Sequence, residues 1–249
     1  MSLEQTKAEG SASILFVTLG CAKNEVDTDR MRSLLLRAGY EEASEAEEAD
    51  AVIVNTCSFL ASATSESIER TLELAEANTE GVRNRPIVMC GCVPSRYGDD
   101  LPAELPEVAA FVRADAEDGI VSVMDGVLGR ESAVPVAAGS SAGPLAEPLR
   151  TVEGASAYVK ISDGCDRFCS FCAIPYIRGR YASRPYAEIE TEVLALAKSG
   201  VREFVLIGQD TGIWGSDFEG DQTLAKLLRQ VAEVVRPYDG WVRVLYLQP

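Results

Sequence analysis

The chain has 249 residues, with 23 Lys and Arg against 39 Asp and Glu, so its formal charge is −16 and its isoelectric point is about 4.5. This balance excludes a protein that coats duplex nucleic acid through a basic surface, and the absence of histidine excludes Ser-His-Asp or Cys-His catalysis and histidine-ligated zinc. Hydrophobic residues make up 47% and charged residues 25% of the chain, which is typical of one or two globular domains at this length.

The first 130 residues alternate short apolar runs with helical patterns, which favours an α/β fold around a parallel sheet. The apolar runs are predicted as buried strands at 14–20, 51–56, 85–91 and, more weakly, 109–114. A helix is predicted between the first two strands, ending before Gly39, with an apolar stripe of Val26, Met31, Leu34 and Leu35. The acidic segment 41–50 predicts a solvated loop and helix edge. We therefore expect a disordered tail at 1–12 and an open, flavodoxin-like parallel-sheet domain over 13–130.

A segment rich in Gly, Ser, Ala and Pro at 131–152 has no periodicity and is predicted as a linker. The alternation then resumes, with strands predicted at 157–162, 202–208 and 241–247 and helices at 185–200 and 222–235. Pro185 is predicted at the first helical position and Gly200 at the stop. These units belong to an open sheet or a barrel over 153–249. The last strand leaves an exposed parallel edge, so we expect a fragment of a longer protein.

Seven cysteines occur in a chain whose first dozen residues lack an apolar segment and whose longest apolar runs are strand-sized. We therefore expect no signal peptide or membrane span, and a cytosolic protein whose cysteines serve metal or redox chemistry. Cys165, Cys169 and Cys172 form a C-x-x-x-C-x-x-C loop after a predicted strand. Three thiolates over eight residues can hold one cuboidal iron–sulfur cluster and leave one iron open to a ligand. The alternatives are a structural zinc site or buried, unligated cysteines.

The remaining cysteines follow the strand pattern. Cys21, Cys57 and Cys92 each come after one of the first three strands, whose carboxyl ends emerge at one edge of a parallel sheet. The three predict a second three-cysteine cluster site, although each alone is equally consistent with a small buried side chain. Cys90 lies inside its strand and is predicted to pack in the core, with ligation as the alternative.

Around the cysteine loop, residues 158–184 contain more basic than acidic side chains, which predicts a positive mouth for a carboxylate-bearing cofactor or an acidic substrate. Gly208, Gln209 and Asp210 end the second strand of this half at the same edge, where a glycine permits close approach of a ligand. Asp210 could equally cap the following turn.

The loop, with Phe171 before its last cysteine, resembles that of the radical S-adenosylmethionine (SAM) enzymes, and the N-terminal cysteine triad resembles that of their methylthiotransferase branch. LGCAKNEVDTDRM, NTCSFLASATSES and GQDTGIWGSD are similar to the patterns of the RimO-type subfamily, which modifies an aspartate of a small-subunit ribosomal protein. The alternative is the MiaB-type subfamily, which modifies a tRNA adenosine and tends to read G-C-Q-M-N at the first motif. The similarity extends over nearly all of residues 13–249.

The resemblance implies that Cys165, Cys169 and Cys172 hold a [4Fe-4S] cluster that chelates and cleaves S-adenosylmethionine. The resulting deoxyadenosyl radical abstracts hydrogen from the β-carbon of the target aspartate. Cys21, Cys57 and Cys92 would hold an auxiliary [4Fe-4S] cluster that carries the methylated sulfur. Phe171, Gly208, Gln209 and Asp210 fall where the family contacts S-adenosylmethionine.

The family's partial (β/α) barrel continues beyond this chain and is followed by a TRAM domain, and both continuations are missing from the sequence. Cys90 stands where the family more often has Thr. The implied partners are a ribosomal protein substrate and an electron donor of the flavodoxin or ferredoxin type, with no membrane and no indication of direct nucleic-acid binding. A non-catalytic iron–sulfur carrier is the alternative of a different class.

Overall fold

The computed structural model describes residues 11–80, 84–130, 152 and 154–248. Two parallel sheets, each covered by helices, make up the molecule. The predicted tail at 1–12 and the predicted linker at 131–152 lie almost entirely outside the described residues. Within those residues, no helix combines the length and the apolar character that crossing a bilayer requires.

The first sheet has five parallel strands in the order β2-β1-β3-β4-β5. This is the flavodoxin-like order, which agrees with the predicted fold class. The strands are β1 (Ser13–Thr18), β2 (Glu41–Glu42), β3 (Ala51–Thr56), β4 (Ile87–Gly91) and β5 (Val108–Arg113). The prediction of a solvated loop at 41–50 is wrong in part, because Glu41 and Glu42 pair with β1 and because Ala43 and Ala49 are buried.

Five helices pack on the first sheet: α1 (Ala22–Arg37), α2 (Ala61–Glu80), α3 (Cys92–Tyr97), α4 (Leu101–Glu104) and α5 (Ile120–Leu128). The predicted stripe of α1 is buried at Val26, Met31 and Leu35, whereas Leu34 is only partly buried. Gly39 follows the helix with φ of +84°, a conformation that favours glycine. Helix α1 therefore ends where the sequence predicts.

The second sheet has three parallel strands in the order β10-β9-β6. A two-stranded antiparallel ribbon of β7 and β8 brackets the cysteine loop. The elements are β6 (Ser156–Lys160), β7 (Ser162–Asp163), α6 (Ile174–Ile177), β8 (Ala182–Ser183), α7 (Tyr186–Ser199), β9 (Glu203–Ile207), α8 (Leu224–Val235) and β10 (Trp241–Val244). Pro185 lies at the N-cap of α7, one position before the predicted one, because its ψ of 141° is extended rather than helical. Gly200 caps the other end in the left-handed conformation.

The two halves share an apolar contact. Ala22 and Val26 of α1 pack against Val205 and Ile207 of β9, and partly buried Tyr158 adds to the same cluster. Burial of such aliphatic side chains contributes about 1.5–3 kcal/mol each. Helix α1, which begins directly after Cys21, is therefore fixed against the sheet that carries the second cysteine set.

Candidate metal centre

Cys21, Cys57 and Cys92 lie at one edge of the first sheet. Cys57 directly follows β3, Cys92 directly follows β4 and opens α3, and Cys21 lies three residues after β1 at the N-cap of α1. Strands β1, β3 and β4 are neighbours and parallel, so their carboxyl ends emerge together. The structure brings the three residues together as the strand pattern predicts.

Gly20 allows the first two cysteines to approach. It has φ of +103°, and a Cβ at this position would lie 2.5 Å from the Cβ of Cys57 and 3.1 Å from its Sγ. No other residue could take this position without displacing Cys57. The glycine of the L-G-C motif is therefore required by close packing against the second cysteine.

Two buried asparagines tie the start of α1 to β3. The Asn24 amide donates to Asn55 Oδ1 (3.0 Å) and to the Thr56 carbonyl (2.9 Å), and the Asn55 amide donates to the Asn24 carbonyl (3.0 Å). Asn24 Oδ1 also accepts a hydrogen bond from the Cys21 thiol at 3.3 Å. Our sequence reasoning missed this pair, although both residues belong to the quoted motifs, three positions after Cys21 and two before Cys57.

Two hydroxyl groups fix the other cysteines. Ser67 Oγ of α2 accepts a hydrogen bond from the Cys57 N–H and lies equally close to the Cys57 carbonyl, both at 3.1 Å. Thr56 Oγ1 donates to the Cys90 carbonyl (2.6 Å) and accepts from the Val93 N–H (3.2 Å). The main chain at Cys57 and on both sides of Cys92 is therefore held by buried hydrogen bonds.

The three thiols interact with one another. A hydrogen bond with Cys92 lowers the pKa of Cys57 to about 6, and the same hydrogen bond, together with burial, raises the pKa of Cys92. The charge of Cys21 also acts on Cys57, and the positive charge of Arg178 favours the thiolate forms of Cys57 and Cys92. The thiols of Cys57 and Cys92 are therefore hydrogen-bonded to each other beside a cation.

Throughout the described segments, no group of three or more Cys, Asp or Glu side chains is arranged to hold one ion. Zinc binds its sulfur ligands at about 2.3 Å from one centre, whereas each thiolate of a cubane binds a different iron.

Cys90 lies apart from this set. Its side chain is fully buried in an apolar cluster with Ile53, Val88 and Val112, and burial raises the pKa of its thiol well above the usual value. It packs as the sequence predicts, on the inner face of β4.

Cys165, Cys169 and Cys172 lie on an accessible loop between β7 and α6. The N–H of Cys165 donates to the Gly179 carbonyl (3.2 Å), and the N–H of Cys172 donates to the Cys169 carbonyl (3.0 Å). Cys169 is exposed and the other two are partly exposed. Gly164, with φ of +71°, packs against the carbonyl of Arg180 so closely that a Cβ has no space. The two arms of the loop are therefore held in direct contact.

The residues predicted to contact a cofactor lie beneath and beside this loop. The Gln209 amide donates to Asp163 Oδ1 at 3.0 Å, and buried Asp210 forms an ion pair with Arg167 of the loop. Gly208 packs against the Ser162 side chain, where a Cβ would clash. Phe171 is 87% exposed, so its ring contacts little of the protein. The first three residues support the loop, and Phe171 projects from it.

The predicted positive mouth is largely neutralised, which corrects the sequence interpretation. Its cations pair with acids, several of them remote in sequence: Lys160 with Asp27 and Asp163, Arg167 with Asp210, Arg178 with Asp27 and Asp163, Arg180 with Asp166, and Arg184 with Glu192. Counting charges within 158–184 overlooked the acids that α1, α7 and the end of β9 bring to the same place.

These ion pairs connect the two cysteine sets. Asp27 of α1 is paired with Arg178 at 2.6 Å and with Lys160 at 2.5 Å, and the side chains of Asp27 and Arg178 are each only 2% exposed. Burial alone would raise the pKa of Asp163, but Lys160 and Arg178 outweigh it and hold that pKa well below its usual value. Helix α3, which begins at Cys92, packs against α6, which begins two residues after Cys172. The two sets therefore belong to one site at the junction of the halves.

The fold and this site define a class of protein, an α/β chain in which a flavodoxin-like sheet with three edge cysteines precedes a second parallel sheet with a three-cysteine loop. Residues 13–113 match the Uncharacterized protein family UPF0004, and residues 159–240 match the Radical SAM superfamily. The chain is similar to the ribosomal protein uS12 methylthiotransferases RimO, the subfamily that its motifs resemble.

Two relatives illustrate the similarity. The chain is 42% identical over 237 residues to the ribosomal protein uS12 methylthiotransferase RimO of Symbiobacterium thermophilum, and 37% identical over 236 residues to that of Solibacter usitatus. These alignments cover 94% of this chain but 48% and 50% of the relatives. The chain thus spans about half the length of the curated relatives it matches.

Solved structures of radical SAM enzymes share the fold. The methyltransferase TsrM of Kitasatospora setae, solved with cobalamin and a [4Fe-4S] cluster, superposes with a TM-score of 0.62 at 15% identity over 91% of this chain and 53% of that chain. The cobalamin-dependent enzyme OxsB gives 0.56 at 10% identity, over 94% of this chain and 38% of that chain. At these identities the likeness concerns the fold alone.

Proposed function

We propose that this chain provides the two cluster-binding sites of a RimO-type methylthiotransferase, which adds a methylthio group to the β-carbon of an aspartate in a small-subunit ribosomal protein. The observation that carries the proposal is the meeting of two three-cysteine sets at one junction of the fold. Cys165, Cys169 and Cys172 would hold the cluster that binds S-adenosylmethionine. Cys21, Cys57 and Cys92 would hold the auxiliary cluster. Residues 13–130 and 153–249 would be the two domains.

The residues fit these groups by their chemistry. Thiolates are the ligands that iron–sulfur clusters require, and the positive charge of Arg178 favours the thiolate forms of Cys57 and Cys92. In the described part of the chain, Asp210 Oδ1 and Gln209 Oε1 are buried without a hydrogen-bond partner. Two such acceptors beside the second loop suit the amino group of S-adenosylmethionine.

When bound, the clusters and S-adenosylmethionine would supply the one-electron chemistry and the sulfur. The chain's own residues position these groups. Gln209 and Lys160 hold Asp163, whose Oδ1 also accepts the N–H of Gly164 (3.0 Å), so the start of the second loop is fixed. The Asp27–Arg178 pair holds α1 and the loop that follows α6 in register, which fixes the distance between the two sites.

Cysteine variants test the proposal. After anaerobic reconstitution, we expect about two cubane clusters per chain, and about one after Cys57→Ala or Cys169→Ala. Dithionite-dependent cleavage of S-adenosylmethionine should be lost in Cys169→Ala and retained in Cys57→Ala. Cys90→Ala is the matched control and should keep both clusters, because Cys90 lies in the apolar core.

Three outcomes would contradict the proposal. One zinc without iron would make the cysteines structural, and two clusters with intact S-adenosylmethionine under dithionite would indicate a non-catalytic carrier. Mass spectrometry of ribosomal protein and tRNA from a deletion strain distinguishes a RimO-type from a MiaB-type enzyme. Loss of the modification from tRNA rather than from the ribosomal protein would indicate a MiaB-type enzyme.

A further inference from the structure

Lys23 is a buried cation beside the first cysteine set. It lies in the first turn of α1, two residues after Cys21, and only 7% of its surface is exposed. Its ammonium group lies 3.4 Å from the centre of the Tyr246 ring, which follows β10. Tyr246 has φ of +59°, an uncommon conformation for a residue other than glycine, so the ring is held there against local strain.

The ammonium group of Lys23 forms no salt bridge and no hydrogen bond with the described residues. It lies over the face of the Tyr246 ring, and the charges of Cys21, Asp163 and Cys92 act on it without a salt bridge. The residue is only 7% exposed, and one aromatic face compensates only part of the hydration that a largely buried side chain loses. Such a group is suited to a ligand that brings a negative charge.

The other cations of the junction differ from Lys23 in this respect. Lys160 and Arg178 each contact two carboxylates, and Arg167 contacts Asp210. Among these four cations, Lys23 is the one that forms no salt bridge within the described residues.

Lys23 also lies close to the cysteine sets at which we propose that the substrate reacts. Its charge interacts with the thiols of Cys21 and Cys92 on one side, and with Asp163, which precedes the second cysteine loop, on the other. The ammonium group therefore lies at the junction of the two halves, because helix α1 packs on β9 and because the Tyr246 ring follows β10. In an aspartate side chain, the β-carbon is bonded directly to the carboxylate carbon, so holding the carboxylate here would fix the β-carbon at this junction.

We propose that Lys23 is the specificity-determining residue that binds the carboxylate of the substrate aspartate; this rests on the function proposed above. The ammonium group selects a carboxylate over an amide of the same shape, because only the charged group neutralises it. S-adenosylmethionine also carries a carboxylate, so the test must separate these two sources.

The test measures binding of two synthetic peptides to the reconstituted holoenzyme by fluorescence anisotropy. One peptide carries the target loop of the ribosomal protein with Asp, and the other has Asn at that position. In Lys23→Met, we expect Kd for the Asp peptide to rise at least about thirtyfold, and Kd for the Asn peptide to stay as in the unchanged protein. Lys23→Arg should restore part of the affinity. The exposed Lys198→Met is the matched control and should bind both peptides normally.

Iron content and the melting temperature establish that each variant is folded and loaded. Unchanged binding of the Asp peptide by Lys23→Met would overturn the inference while leaving the proposed function intact. Loss of S-adenosylmethionine affinity in Lys23→Met, measured by calorimetry, would assign the ammonium group to the cofactor and also overturn it. If the unchanged protein neither binds nor modifies the Asp peptide, the proposed function itself fails.

Discussion

At the scale of single residues, the site depends on close approaches that small side chains permit. Gly20 lies against Cys57, Gly91 lies against Asn55, and Gly164 lies against the carbonyl of Arg180. All three glycines have positive φ. The cysteine spacing alone indicates the ligands, but it does not indicate which glycines and asparagines fix them. Those roles follow from contacts between segments that are distant in sequence.

Gly164→Ala tests how far the second loop depends on such an approach. A Cβ at position 164 meets a backbone carbonyl that cannot move aside, so we expect the free energy of unfolding to fall by about 3 kcal/mol or more. Gly39→Ala is the matched control, with φ of +84° and open space around a Cβ, and should lower it by about 1 kcal/mol. Urea unfolding of the iron-free protein measures both. Equal midpoints for the two variants would show that the contact has no effect.

At the scale of elements, the helices that the sequence predicts are those with a continuous apolar stripe. Helix α2 went unpredicted because its inner face includes Ser67 and Thr71, which are fully buried and hydrogen-bond to helix carbonyls one turn earlier. These hydroxyls interrupt the apolar periodicity. Strand β2 was not predicted, because it has only two residues, both acidic, and pairs at the edge of the sheet. A polar buried face is therefore one reason why periodicity misses an element.

Glu117 is buried in the turn between β5 and α5. Its ionisation should make the stability of the protein depend on pH. Burial, together with the negative charge of Asp27, raises the pKa of Glu117 well above its usual value. The folded protein thus holds this proton more tightly than the unfolded chain. The contribution of Glu117 to the free energy of unfolding is therefore fully present below the ordinary glutamate pKa of about 4.3, and it is lost as the pH rises above that value. Glu117→Gln should remove this decline.

The melting temperatures of Glu117→Gln and the unchanged protein, measured at pH 5 and pH 8, check this expectation. The advantage of the variant should be larger at pH 8. Asp118→Asn is the control, because the neighbouring Asp118 is part-exposed and paired with Arg30, so its removal should give no gain at pH 8. A constant difference between Glu117→Gln and the unchanged protein at both pH values would contradict the argument.

At the scale of the whole molecule, the two halves are joined by an apolar contact and by a buried charge cluster. Val26 and Asp27 of α1 belong to the two parts of this joint, Val26 in the apolar cluster and Asp27 between Lys160 and Arg178. The same helix begins at the first cysteine set. Movement of α1 would therefore alter the distance between the two sites, which makes the joint part of the functional geometry.

Asp27→Asn tests this joint. The Asp27 side chain is only 2% exposed, and the substitution removes its charge from Arg178 and Lys160. We therefore expect the free energy of unfolding to fall by about 3–5 kcal/mol. Asp29→Asn on the same helix is the control. Asp29 pairs with Arg32 near the surface, where the loss should be about 0.5 kcal/mol or less. Urea unfolding compares the two, and similar losses would show that the buried cluster contributes little to stability.

The sequence by itself determined the local features of this protein: the strands, the amphipathic helices, the C-x-x-x-C-x-x-C loop and the position of three cysteines after three strands. These depend on periodicity and on short spacings, which a single segment contains. Only the tertiary structure decided how the charges are paired. It placed Asp27 and Asp210 against the basic residues of 158–184 and left Lys23 beside Tyr246 without a salt bridge in the described residues. The physical reason is that burial and Coulomb interactions depend on distances in space, and Asp27 and Arg178 are 151 positions apart in the chain.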